Sequence, residues 1–252
     1  MRVIVLAAGF ATRLYPLTRD RAKPLLPVAG RPVVSHLLDR VRALPDIRDV
    51  LLVTNARFHR DFQSWASADR GRPPVRVVAN GSTSADDRQG ALRDLLMAWQ
   101  SADAELAAED LLVVAGDNLV GFDLAPFFAH FRAIGRPMLM VRRVPGAVPP
   151  GRHGEVTIDE RGQIVRFREK PMDPRSDLAA LCLYLFPART KTRLSTYLAH
   201  GVNPDAPGHF IAWLAEREPV HAHVLDGPYF DIGNRESLKA AHQHFVPVTA
   251  PE

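Results

Sequence analysis

The sequence is poor in cysteine, lysine and uninterrupted apolar runs. Its 252 residues include a single cysteine, Cys182, so no internal disulfide and no cysteine-built metal cluster is expected. No apolar stretch approaches the ~20 residues of a membrane-spanning helix, so no membrane partner is expected. The chain opens on a strand-like run with no signal-peptide pattern, and a cytoplasmic location is the expectation. Its formal net charge is +4, yet the basic residues are scattered, without a dense run or interleaved aromatics. Nucleic acid is therefore not an expected partner, and a modest positive balance suits anionic small-molecule ligands. Internal repeats and low-complexity segments are absent. So are the two commonest phosphate loops: no Gly-Lys-Ser/Thr ending occurs, and no three-glycine dinucleotide spacing.

What is present begins at the first strand. Arg2-Val3-Ile4-Val5-Leu6 runs into Ala7-Ala8-Gly9-Phe10-Ala11-Thr12-Arg13-Leu14, with Lys23-Pro24 beyond. A loop leaving β1 lies at the carboxyl edge of a parallel sheet, the ligand edge of open α/β folds. Small residues there let a ligand approach the main chain, and Arg13 and Lys23 supply positive charge for a polyphosphate. Only four of the 32 basic side chains are lysines, and two of the four precede proline, in Lys23-Pro24 and Lys170-Pro171. A compact ammonium and a guanidinium are not interchangeable at a phosphate.

Strand-like apolar runs at residues 3–6, 50–54, 75–79, 111–115 and 138–141 alternate with helical spacing at 33–44, 57–68, 88–100 and 123–134. That alternation predicts an α/β fold with a doubly wound, mostly parallel (Rossmann-like) mixed sheet. Beyond residue 143 the texture changes, and a smaller β subregion is expected. A proline-rich loop at 145–150 precedes a hairpin, 154–158 and 164–167, around Asp159-Glu160-Arg161-Gly162. A strand at 178–186, helices at 188–199 and 207–215, a strand at 220–224 and a final helix at 235–245 complete the reading. One domain, residues 1–252, is expected, with halves 1–143 and 144–252.

Asp117, in Ala115-Gly116-Asp117-Asn118, follows an apolar strand directly; Asp231, in Phe230-Asp231-Ile232-Gly233, precedes the last helix. Carboxylates at strand ends are placed to hold a divalent metal on phosphates, and each alone also reads as a turn or capping residue. Glu169-Lys170-Pro171 follows the hairpin, where a solvated charge pair is the competing reading. The polar loop 80–91 either binds a ligand, through Gln89 and Gly90, or only caps the helix it opens. Of the ten histidines, His221 and His223 share a strand face, while His242 and His244 do not share a helix face. Neither pair has partners for a metal site.

In this order, from residue 1 to about 245, the motifs resemble those of the sugar-phosphate nucleotidylyltransferases, whose first loop usually reads Gly-x-Gly-Thr-Arg, followed by Lys-Pro. Ala11 stands where the second Gly is usual, a substitution suited to a negative φ. Cys182, in Cys182-Leu183-Tyr184, falls where the family commonly reads Gly-x-Tyr; there it narrows a sugar pocket, while a core cysteine is the simpler reading. The resemblance implies that Leu6, Ala7, Ala8, Gly9, Phe10, Ala11 and Thr12 contact the nucleotide, together with Gln89, Gly90 and Asp117. It implies that Arg13 and Lys23 act at the phosphates, and that Asn118, Gly154, Glu169 and Lys170 hold the acceptor in the second half. Asp117 and Asp231 would ligate Mg²⁺. The implied reaction joins an NTP to a sugar or cyclitol 1-phosphate, giving an NDP-sugar and pyrophosphate. Alternatives are a cytidylyltransferase acting on phosphocholine or a phosphonate, and a non-catalytic homologue that senses nucleotide sugars. No hexapeptide β-helix array, an extension of some relatives, is present, and homo-oligomer formation is left open.

Overall fold

The protein is described as a computed structural model covering residues 1–101, 106, 108–225 and 227–245; the end of the expected domain, 246–252, lies outside the described residues. The first half runs β1 (Arg2–Ala7), the two-residue strands β2 (Pro27–Val28) and β3 (Arg31–Pro32), α1 (Val33–Arg42), β4 (Asp49–Thr54), α2 (His59–Ala68), β5 (Val75–Ala79) and α3 (Ala91–Gln100). It continues through β6 (Leu111–Ala115), β7 (Asn118–Val120), α4 (Ala125–Ile134) and β8 (Met138–Arg143). The second half comprises β9 (Glu155–Ile158), β10 (Ile164–Arg168), β11 (Leu178–Phe186), α5 (Thr190–Ala199), α6 (Pro207–Ala215), β12 (His221–Leu225), β13 (Tyr229–Asp231) and α7 (Arg235–Phe245).

Four strands, in the order β6-β1-β4-β5, pair in parallel. Their uninterrupted apolar runs follow from burial on both faces. Val3, Val5 and Leu52 pack with Leu37, Leu38 and Phe62 on one face. Ile4, Leu51 and Val53 pack with Leu95 and Trp99 on the other. β11, from the second half, adds antiparallel to β6 and also pairs with β8 and β9, so one mixed sheet runs through both halves. At its amino-terminal edge, fully buried Arg2 donates to Asp49 (Nε–Oδ2 3.0 Å), and Arg76 bonds the same carboxylate at 2.9 Å. No helix among the described residues is long and apolar enough to cross a membrane.

Two differences from the sequence reading concern the site. The helix expected from residue 88 begins at Ala91, because Gly90 has φ +88° and breaks the helical path. Residues 118–120 form β7, which pairs antiparallel with β13 in a separate two-stranded sheet. Three residues are too few to show a period, so only their partner reveals the strand.

Candidate active site

The loops leaving β1 and β6, adjacent parallel strands, meet at the carboxyl edge of the sheet. Nothing lies within 4 Å of where a Gly9 Cβ would stand, so the main chain there is open to a ligand. Ala11 has φ +49° and ψ +40°, the left-handed region, and not the negative φ that would suit an alanine. It is held there because its carbonyl accepts from Thr18 Oγ1 at 2.8 Å and from the Leu14 amide at 3.0 Å. Gly116 lets the two loops close together: a Cβ would come within 3.2 Å of Val5 and 3.3 Å of Pro24. That packing delivers Lys23 to Asp117, and the two form an ion pair.

Asp231 reaches the same point from the far end of the chain. The β7–β13 ladder sets it opposite Asn118, and the Ile232 amide donates to the Asp117 carbonyl at 3.3 Å. Leu14, Val28, Leu119 and Ile232 form a small apolar cluster that supports this ladder. Loss of hydration raises the Asp231 pKa, as does the neighbouring Asp117 carboxylate; Lys23, Arg13 and Arg142 pull it back. Asn118 is buried, and its Nδ2 has no hydrogen-bond partner.

A cavity of about 600 Å³ extends from this point. One end is walled by Leu6, Ala7, Ala8, Gly9, Ala11 and Arg13, with Lys23 and Asp117 on its floor. The other end is walled by Asn80, Arg88, Gly90, Ala91 and Asp94, where Asn80 Nδ2 donates to Asp94 at 2.8 Å. Phe10 is buried and Thr12 is exposed, and neither lines this cavity. Gln89 turns outward and bonds the Asp87 carbonyl at 3.4 Å; the loop meets the cavity through Arg88 and Asn80, which the sequence reading did not single out. Residues 203–207 close the wall, with Arg88 paired to Asp205 at 3.0 Å and the Leu92 amide on the Pro204 carbonyl at 2.9 Å. A Cβ on Gly90 would stand 2.8 Å from that carbonyl, a close approach that, with its φ, requires glycine.

A second cavity of about 260 Å³ adjoins it, sharing Asp117, Glu169, Lys170 and Cys182 as a common wall. Asn118, Gly154, Tyr184 and Asp231 also line it. Gly154 is required by packing: a Cβ would lie 2.5 Å from Phe167 Cζ. Lys170 has φ +46°, a left-handed lysine beside the cavity. The segment carrying Glu169 and Lys170 is anchored by buried Glu155, which accepts from Arg168 Nε at 2.6 Å and from the amides of Arg175 and Ser176. Burial works against the Glu155 carboxylate, but these donors hold its pKa below the usual range. Burial, then the charges of Asp117, Asp231 and Glu169, push the Cys182 pKa up, so it remains a neutral thiol on the shared wall.

Fold and cleft define an open α/β protein whose ligand cleft holds fixed cations and two facing carboxylates. More particularly, the chain belongs to the nucleotidyl transferase family, whose sequence profile matches residues 2–246. It is 30% identical to a glucose-1-phosphate thymidylyltransferase of Streptomyces griseus, across 100% of this chain and 68% of that protein. It is 26% identical to the bifunctional protein GlmU of Methanocaldococcus jannaschii, across 98% of this chain. The chain spans about half, 54%, of GlmU. A 2.76 Å crystal structure from Bacillus anthracis, of a candidate glucose-1-phosphate thymidylyltransferase with sucrose bound, superposes with a TM-score of 0.80. It covers 100% of this chain and 98% of that one at 22% identity, which shows a shared fold.

Proposed function

We propose that the protein transfers a nucleotidyl group from an NTP to a sugar or cyclitol 1-phosphate, releasing pyrophosphate. The observation that carries this reading is the meeting of Asp117, which lines both the larger and the smaller cavity, with Asp231, which lines the smaller. The larger cavity takes the nucleotide, its triphosphate along the β1 loop, Arg13 and Lys23, and its base toward Asn80, Arg88 and Gly90. The smaller takes the acceptor, whose hydroxyls meet Glu169 and the Gly154 backbone. The thymidylyltransferase relative supports a sugar 1-phosphate as that acceptor.

Two carboxylates, with phosphate oxygens completing the set, suit a hard divalent cation. The Lys23 ammonium paired with Asp117 supports a cation at this position. Bound by Asp117 and Asp231, Mg²⁺ would neutralise charge on the reacting phosphates. The attacking phosphate oxygen is ionised at neutral pH, so no general base is required. The protein's task is in-line alignment of the two substrates with charge neutralisation. Arg13 stabilises the departing pyrophosphate, Lys23 moves from Asp117 to a nucleotide phosphate, and Lys170 holds the acceptor phosphate. Asn118 Nδ2 finds its missing partner on the acceptor. The enzyme is expected to work in the cytoplasm.

Pyrophosphate release, measured over all NTPs and dTTP against a panel of sugar 1-phosphates, phosphocholine and phosphonates, tests the proposal. One productive pair is expected. Arg13→Ala should lower its kcat by about 10²–10³, the usual loss for one charge-stabilising group. Asp117→Asn should abolish release. Near-normal turnover in either variant, or silence across the panel with NTP binding intact, would refute it.

A further inference from the structure

A third cavity, about 680 Å³, is lined by Arg13, Lys170 and Asp231, which the proposed reaction uses, and by Arg142, Arg152 and His153, which it does not. Its walls are strongly cationic: Arg13, Arg142, Arg152 and Lys170 converge there around His153, facing the single carboxylate of Asp231. Asn234 and Ser237, at the amino-terminal end of α7, form another side. We infer that the acceptor carries a second anionic group, a carboxylate or phosphate remote from its reacting phosphate, and that this recess seats it. The inference rests on the nucleotidyl-transfer reading and names the acceptor class for that site.

Three observations support it. The recess shares Arg152, His153, Lys170, Tyr229 and Asp231 with the acceptor cavity, but only Arg13 and Lys170 with the nucleotide cavity. A ligand reaching it therefore extends from the acceptor side. Next, no close ion pair of Arg142 or Arg152 is found among the described residues, although the charge of Arg142 is felt at Asp231, and Arg142 Nε is buried without a hydrogen-bond partner. Arg142 instead stacks near the Tyr229 ring, 6.0 Å from its centroid. Arg142 and Arg152 both line the recess, and guanidinium groups there offer a ligand oxyanion charge-assisted hydrogen bonds. Lastly, His153 is held neutral, by burial first and then by Arg142, Arg152 and Lys170, which reports a positive field in the recess. The same field disfavours the trimethylammonium head of phosphocholine.

The test is calorimetric binding of glucuronic acid 1-phosphate, glucose 1,6-bisphosphate and glucose 1-phosphate, with and without an uncleavable α,β-methylene nucleoside triphosphate. The two doubly anionic probes should bind about tenfold or more tighter than glucose 1-phosphate, as expected for a charge-assisted bidentate contact. Arg152→Gln and Arg142→Gln should each shrink that preference, and together remove it. Equal affinities in the unaltered protein, binding of none of the probes, or a preference that survives both substitutions would overturn the inference. So would loss of pyrophosphate binding in Arg152→Gln without any preference among the sugars, which would assign the recess to the nucleotide's phosphates. Failure of nucleotidyl transfer itself reads out separately, as absent pyrophosphate release.

Discussion

Ala11 and Lys170 are two of four non-glycine residues with positive φ among the described residues, and both face the cleft. A left-handed alanine costs about 1–2 kcal/mol, while glycine would lose more entropy on folding. Ala11→Gly should therefore raise stability by up to about 1 kcal/mol, read as a shift in urea midpoint. Removal of the methyl should also lower the KM for NTP, since backbone amides there would be less crowded. Unchanged stability would mean that the larger entropy loss of glycine on folding cancels the relief of the left-handed alanine. Cys182 lines both cavities, so it is neither a purely internal core residue nor an open nucleophile.

The short elements carry more of the site than the long ones. β7 and β13 hold three residues each, yet their pairing brings Asp231 to Asn118 and so to Asp117. The β9–β10 hairpin sets Phe167 against Gly154 and leads into Glu169 and Lys170. Gly154→Ala should cost about 1–3 kcal/mol by overpacking against Phe167. Because the shift displaces the acceptor wall, KM for the acceptor should rise more than KM for NTP. Equal effects on both substrates would show that the hairpin does not belong to the acceptor site. Residues 205–207, at the start of α6, line both cavities and are tied to the 80–91 loop by Arg88–Asp205.

For the molecule as a whole, the Arg2–Asp49–Arg76 cluster joins β1, β4 and β5 opposite the cleft edge. Burial alone would raise the Asp49 pKa, but hydrogen bonds from Arg76 and Arg2 bring it below the ordinary value. Its folded pKa is depressed, so this stabilisation is complete above the unfolded value of about 3.9 and is lost as pH falls through the folded value. Thermal midpoints should drop steeply below about pH 4. Asp49→Asn should cost about 3 kcal/mol at neutral pH, the usual loss when one partner of a buried pair is removed. It should also flatten the acid decline. An undiminished decline in the variant would assign acid sensitivity elsewhere.

Local chemistry made much of this protein legible. The buried parallel strands appear as continuous apolar runs, because both faces of the sheet are covered. The β1 loop, Lys23-Pro24 and the strand-end Asp117 each occupy a short local stretch, so their residue types alone point to a phosphate ligand, whereas an acceptor role for Glu169-Lys170 comes only from the family resemblance. Three matters were decided only by the tertiary structure: the helix start at Ala91, which turned Gln89 outward and Arg88 inward; the positive φ of Ala11; and the joining of Asp117 to Asp231. The helix start and the joining of the two aspartates depend on residues far apart in the chain, Gly90 against Pro204 and β7 against β13, whereas the φ of Ala11 is set by the turn it makes with Leu14 and Thr18. A periodic pattern records which face of an element is buried, but not which distant element covers it.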